Sequence, residues 1–163
     1  MKKILLLTTH LNVGGVGIYT VELAKYLRRN GIDVLVMSSG GQLVSRLHKE
    51  NIEHINIDIR TKSEFGLKVW RALPGFIRDV SRRDVDLIHA QTRVAQVMGC
   101  VAGKVLRIPY VATCHGFFNH KRLSRRFLPC WGDRTIAISR SVKEHLINDL
   151  GVDASRIDTV YNG

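Results

Sequence analysis

The sequence KKILLLTTHLNVGGVGIYTVELAKYLRRNGIDVLVMSS, residues 2–39, carries the pattern that decides the fold. Its apolar run at positions 4–7 has the length of a strand and stops at a polar break holding glycines 14, 15 and 17. From Val16 onward Tyr19, Leu23, Ala24 and Leu27 recur at helical spacing. Gly31 falls where a helix C-terminal glycine belongs, and DVLVMSS then supplies a second β-branched run. The stretch reads as a β-strand, a helix and a second, parallel strand.

The same alternation continues along the chain. A helix is expected near residues 42–50, a strand at HINIDI, a helix over 67–80, a strand at VDLIHA and a helix over 93–106. Strands at PYVATC and RTIAIS come next. Ser141 and Glu144 in SVKE have capping-box spacing, Val142, Leu146 and Leu150 share one face of the following helix, and Gly151 ends it. A last strand is expected over 157–161. Strands alternating with helices predict an α/β fold, a Rossmann-like parallel sheet of about seven strands with helices on both faces. Residues 1–163 are expected to form a single domain.

Composition narrows the function. No run approaches the roughly 18 apolar residues of a membrane span, and the apolar run after Lys2 and Lys3 is too short for a signal peptide, so a cytoplasmic protein is expected. Cys100, Cys114 and Cys130 are odd in number and widely spaced, which argues against both a disulfide framework and a zinc site. They read as reduced packing residues. The formal net charge of +11 creates a field that attracts phosphate-bearing partners. Nucleic acid is not an expected partner, because helix-turn-helix, RNA-binding and zinc-finger signatures are all missing.

In open α/β sheets ligands bind beyond the carboxyl ends of the strands, and three of those ends carry unusual chemistry. Gly14, Gly15 and Gly17 ahead of a helix let backbone N–H groups approach a diphosphate, aided by the helix dipole. The alternative is a tight turn that needs positive φ angles. GVGIYT is a near miss to the dinucleotide fingerprint, and strand two ends in VMSS without an acidic residue for a ribose, which disfavours NAD. A P-loop is also missing. His115, beside Gly116, could donate to a ligand hydroxyl or serve as a structural histidine. Gln91, Thr92 and Arg93 either line a cleft or cap a helix.

Taken in order, GGVGIYTVELAKYLRRNGIDVLVMS, DLIHAQ, VATCHG, AISRSVKEHL and the closing VYNG resemble the N-terminal half of retaining, nucleotide-sugar-dependent glycosyltransferases of the GT-B fold, family 4 type. The resemblance covers nearly the whole chain. It implies that Gly14, Gly15, Val16 and Gly17 lie against the donor diphosphate. His115 is implied as the catalytic-site residue, its side chain on a sugar hydroxyl and its carbonyl facing the anomeric carbon. Ser139 and Arg140 are implied, more weakly, to face the same cleft as Gln91, Thr92, Arg93 and Gly116. Neither a cofactor nor a metal ion is expected. Gln91 departs from the family's HAH pattern. The donor-binding C-terminal domain would follow Gly163, and the chain alone is expected to be an inactive, truncated half.

Charge bears on the acceptor. Residues 60–84 hold seven Lys/Arg against three acidic residues, and residues 115–134 hold five against one. Aromatic residues are interleaved with both. Trp70, Arg71 and Arg78 in the first, with Phe117, Phe118, Lys121 and Arg122 in the second, form a candidate surface for a glycan or lipid-linked acceptor and an anionic membrane. The alternative is an ordinary core-facing stripe at Val69, Leu73, Phe76, Ile77 and Val80. A non-catalytic basic module that binds anionic lipid or glycan is the second functional expectation.

Overall fold

A computed structural model describes residues 2–61, 63–118 and 130–161. Seven parallel strands form one sheet in the order β3-β2-β1-β4-β5-β6-β7. They are β1 (Lys3–Leu7), β2 (Asp33–Ser38), β3 (Glu53–Asn56), β4 (Leu87–Ala90), β5 (Tyr110–Cys114), β6 (Arg134–Ala137) and β7 (Ile157–Thr159). The connecting helices are α1 (Gly15–Arg29), α2 (Val44–Lys49), α3 (Leu67–Ser81), α4 (Arg93–Leu106) and α5 (Arg140–Asn148). The expected α/β fold with about seven strands is the one observed.

Side-chain alternation divides the core between the two faces. Leu6, Val34 and Val36 pack under α1 and α2 with Val21, Ala24 and Leu47. Leu5, Leu7, Leu35 and Ile88 face the other way, against Val69, Phe76 and Val80 of α3 and Ala95, Met98 and Ala102 of α4. A sheet buried on both faces needs near-continuous apolar strands, which ILLL and DVLVM supply. Chain order reverses direction between β1 and β4, and in open α/β sheets ligands bind at such a switch point, beyond the carboxyl ends of the strands.

Three local expectations are corrected. The HINIDI strand is shorter, because β2 ends at Ser38 and offers nothing further to pair with. Ile57 N–H makes a last bond to the Ser38 carbonyl (2.9 Å), and the chain then turns to bury Ile59 in the core. The last strand ends at Thr159. The cap of α5 is Ser139, whose Oγ accepts from Val142 N–H at 3.2 Å, while Ser141 lies inside the helix. Val142, Leu146 and Leu150 do share the buried face.

Candidate functional site

The loop after β1 is sewn to the loop after β2 by backbone bonds: Ser39 N–H to the Thr9 carbonyl (3.0 Å), Leu11 N–H to Gly40 (2.8 Å) and Leu43 N–H to Leu11 (2.9 Å). This fixes the entry to α1. None of glycines 14, 15 and 17 adopts the left-handed conformation, so the turn itself does not explain them. Gly17 has a packing reason, because a Cβ there would meet the Asn12 carbonyl oxygen at 2.3 Å. Gly14 and Gly15 have none: a Cβ on either would meet no atom within 4 Å, and both are exposed. Gly14 is the N-cap, without a side-chain capping bond, and no acidic residue occupies the first turn of α1. The positive end of this helix dipole and its first N–H groups therefore face outward across bare backbone.

Beside them stands a polar cluster set on β1, β4, β5 and α1. His115 Nε2 lies 2.9 Å from Gln91 Oε1, which can only accept, so Nε2 carries the proton and Nδ1 is the ring's acceptor. The ring of Tyr19, one helical turn after Gly15, meets His115 edge-on with centroids 4.8 Å apart. Tyr19 neighbours the Thr113 side chain, whose Oγ1 is 2.7 Å from His89 Nε2. Burial holds the His115 imidazole down at about 4, and burial aided by the neighbouring His115 does the same to His89. Both rings are neutral at physiological pH, so they offer hydrogen bonds and no charge.

Two buried polar atoms at the ends of β1 and β4, Thr8 Oγ1 and Gln91 Nε2, have no hydrogen-bond partner. Such groups are ordinarily taken by water or by a ligand. A helix N-terminus approached over two bare glycines, neutral hydrogen-bonding groups and unclaimed buried polar atoms make a set of groups suited to a phosphate joined to a hydroxyl-rich molecule.

Sequence comparison supplies the family. The profile described as Glycosyltransferase Family 4 matches residues 13–163. The chain belongs to Glycosyltransferase Family 4. Solved structures agree in fold: a glycosyltransferase from Rickettsia africae superposes with a TM-score of 0.83 at 25% identity, over 99% of this chain and 43% of that one. HepE of Anabaena, solved in complex with UDP and glucose, gives 0.79 at 24% identity over 100% and 45%. MurG of Acinetobacter baumannii gives 0.70 at 21% over 100% and 46%. The chain thus spans less than half the length of each of these proteins. No curated protein sequence matches it significantly.

Within this family member, the remaining candidate residues divide. Thr92 is the N-cap of α4, and its Oγ1 accepts from Thr9 N–H (3.0 Å) and pairs with Thr9 Oγ1 (2.6 Å), tying two strand-end loops together. Arg93, expected to offer a group to the cleft, is instead 7% exposed; it faces Glu64 at 3.7 Å, bonds Gln96 Oε1 at 3.3 Å and lies 5.0 Å over the Trp131 ring. Gly116 accepts from Cys114 Sγ (3.2 Å). The Phe118 N–H donates to His145 Nε2 (3.0 Å), whose Nδ1 reaches Asp149 (2.6 Å), so α5 holds the loop that carries His115. Arg140 is exposed at the start of α5 and pairs with Glu144.

The two basic aromatic stretches also separate. On α3, Val69, Leu73, Phe76 and Val80 are buried, as an ordinary core stripe requires, with Ile77 packed beside them. The opposite face exposes Leu67, Trp70 (48%), Arg71, Pro74 and Arg78. In the second stretch Phe117 is exposed, whereas Phe118 packs on Trp131 with centroids 5.7 Å apart. Lys121 and Arg122 lie outside the described residues. Among the described residues no helix is long and apolar enough to cross a membrane.

Tyr19 is the site residue that sequence reasoning missed. It sits on the apolar repeat of α1 and reads as core. The signal was its hydroxyl, one turn beyond the glycines, in a helix whose buried positions are small or aliphatic.

Proposed function

We propose that this chain is the acceptor-side half of a retaining glycosyltransferase that moves a sugar from a nucleotide-sugar donor to an acceptor at a membrane. The observation that carries the reading is the pair Gly14-Gly15, bare without an internal reason, at an uncapped helix start beside His115. The HepE structures hold UDP and UDP-glucose, which supports a nucleotide-sugar donor here.

In this reading the N–H groups of Gly15, Val16 and Gly17 stabilise the leaving diphosphate as negative charge builds on it. Gln91 orients the His115 ring so that Nδ1 accepts from a sugar hydroxyl, and the His115 carbonyl faces the developing positive charge at the anomeric carbon. Gly116, Ser139 and Arg140 border the cleft. The donor is held mainly by a second domain, without a cofactor or metal ion, and the present residues alone are inactive. Exposed Val13, Phe117, Val160 and Tyr161 follow strand ends and Ile18 lies in the first turn of α1, where a facing domain would cover them. The protein works on the cytoplasmic face of a membrane, with Trp70, Arg71 and Arg78 against anionic lipid, each arginine gaining on the order of 1 kcal/mol near the surface.

Transfer from UDP-glucose and related donors by the complete protein, with the product's anomeric configuration read by NMR, tests the reading. Retention is expected, with a loss of about 100-fold or more in kcat for His115→Ala. Inversion, or unchanged turnover in that variant, would contradict it. Anionic vesicles at low salt should blue-shift Trp70 fluorescence, and Arg71→Glu with Arg78→Glu should abolish the shift.

A further inference from the structure

At the opposite end of the sheet from the candidate site lies a cavity of about 740 Å³. Its walls come from the end of α4 and the amino ends of β5 and β6, and they include both Cys100 and Cys130. Both thiols are half-buried on the same cavity wall, and each is the other's strongest electrostatic neighbour. Cys130 has φ of 42°, a left-handed conformation unusual for a residue with a side chain, and the Tyr110 hydroxyl holds its carbonyl at 3.0 Å. A strained, pinned turn thus presents one sulfur to another, although thirty positions separate them in sequence.

The two thiols are not equivalent. The neighbouring Cys130 thiol, with the positive charges of Lys104 and Arg93, brings the Cys100 thiol down to about 7 against its burial, while the neighbouring Cys100 and burial push Cys130 up although the same two cations act on it. Of the two, Cys100 is the thiol drawn toward the thiolate, the form in which a cysteine attacks a disulfide. The third cysteine is a contrast: Cys114 is fully buried and its thiol is pushed up to about 11. The cavity gives access from solvent, and Lys104, Arg107 and Arg156 on its walls favour an anionic visitor, with Asp133 and Asp153 also present. Asp133 is engaged by the Tyr110 N–H (2.8 Å) and Asp153 by Ser155 (2.9 Å).

We infer that Cys100 and Cys130 form a redox modification site, in which a carboxylate-bearing low-molecular-weight disulfide thiolates Cys100 and Cys130 resolves the adduct to an intramolecular disulfide. In the first step the Cys100 thiolate attacks one sulfur of the small disulfide, forming a mixed disulfide and releasing one small thiolate. The Cys130 sulfur, losing its proton to solvent, then attacks the Cys100 sulfur and expels the second small thiolate. The protein dithiol loses two electrons and two protons, and the small disulfide becomes two thiols. The new bond fixes the start of the segment leading into β6 to the side of α4, away from the cleft.

Oxidised glutathione is the probe. In the native protein it should consume two of the three thiols, leave Cys114 untouched, and yield one proteolytic fragment joining the Cys100 and Cys130 peptides that dithiothreitol separates. Cys130→Ser should accumulate a glutathionyl adduct on Cys100. Cys100→Ser should slow modification at least tenfold. Retention of all three thiols, or a lasting adduct on wild-type Cys100 without the cross-link, would overturn the assignment. The wild-type fragment map decides the matter even if a variant fails to fold, and no outcome depends on the transferase reading.

Discussion

The loops after β1 and β4 lie side by side at the switch point, and they treat their chemistry in opposite ways. The β4 loop is rich in polar side chains, yet Thr92 and Arg93 are consumed inside the protein, by Thr9 and by Glu64, Gln96 and Trp131. The β1 loop also carries Thr9, His10 and Asn12, but it runs into α1 through Gly14 and Gly15, which leave backbone exposed that nothing in the chain needs bare. Polar residues at a strand end are therefore weak evidence for a ligand. Bare backbone with no internal explanation is stronger evidence, because each glycine loses more conformational entropy on folding than a substituted residue would.

The contrast can be broken most forcefully at Arg93. Arg93→Ala should cost about 3–5 kcal/mol, since it removes a buried guanidinium that faces the buried Glu64 carboxylate; urea unfolding measures this, and a near-neutral change would put Arg93 back among the cleft residues. Gly17→Ala should cost about 1–3 kcal/mol through the clash with the Asn12 carbonyl, and calorimetry should show a lower Tm.

His89 on β4 and His115 just after β5 make a pH test. Their folded values near 4 lie below the ordinary 6.5, so the unfolded chain binds more protons between those limits. Stability from these groups is complete above about 6.5 and is lost as pH falls toward 4. Unfolding free energies across that window should show the slope, and His89→Asn should reduce it. The smallest stability effect belongs to Gly15→Ala, which should be neutral or raise stability by up to about 1 kcal/mol, as alanine favours a helix. Its loss should appear in ligand binding alone.

Much of this was legible in the chain. The helix over 93–106 matches its predicted span, because RVAQVMGCVAGKVL repeats apolar groups without interruption between Thr92 and Arg107. Gly31 and Gly151, both in the left-handed conformation, stand where helix ends were expected. The failures are tertiary in origin. Arg93 heads an apolar helix and resembles a solvated N-terminus until Glu64 and Trp131, distant in sequence, close over it. Ser139 and Ser141 are two residues apart, and only the backbone dihedral of Ser139 decides which of them caps. The glycine loop is legible as bare backbone ahead of a helix, but the reason for Gly17 separates from that for Gly14 and Gly15 only once the Asn12 carbonyl is placed. Tyr19 was hidden by its own regular spacing, and the Cys100–Cys130 contact by the separation that argued against any pairing.

The most direct measurement follows the backbone amides of the labelled protein by NMR during titration with pyrophosphate and with UDP. If Gly14 and Gly15 form one wall of a diphosphate site, the amides of Gly15, Val16 and Gly17 should shift together under both ligands, with weak, millimolar affinity, and Gly15→Ala should abolish the response while the fold stays intact. Unmoved amides at the start of α1 would contradict the account, and sub-micromolar binding of UDP would show that the glycine loop is a self-sufficient site and not half of a shared one.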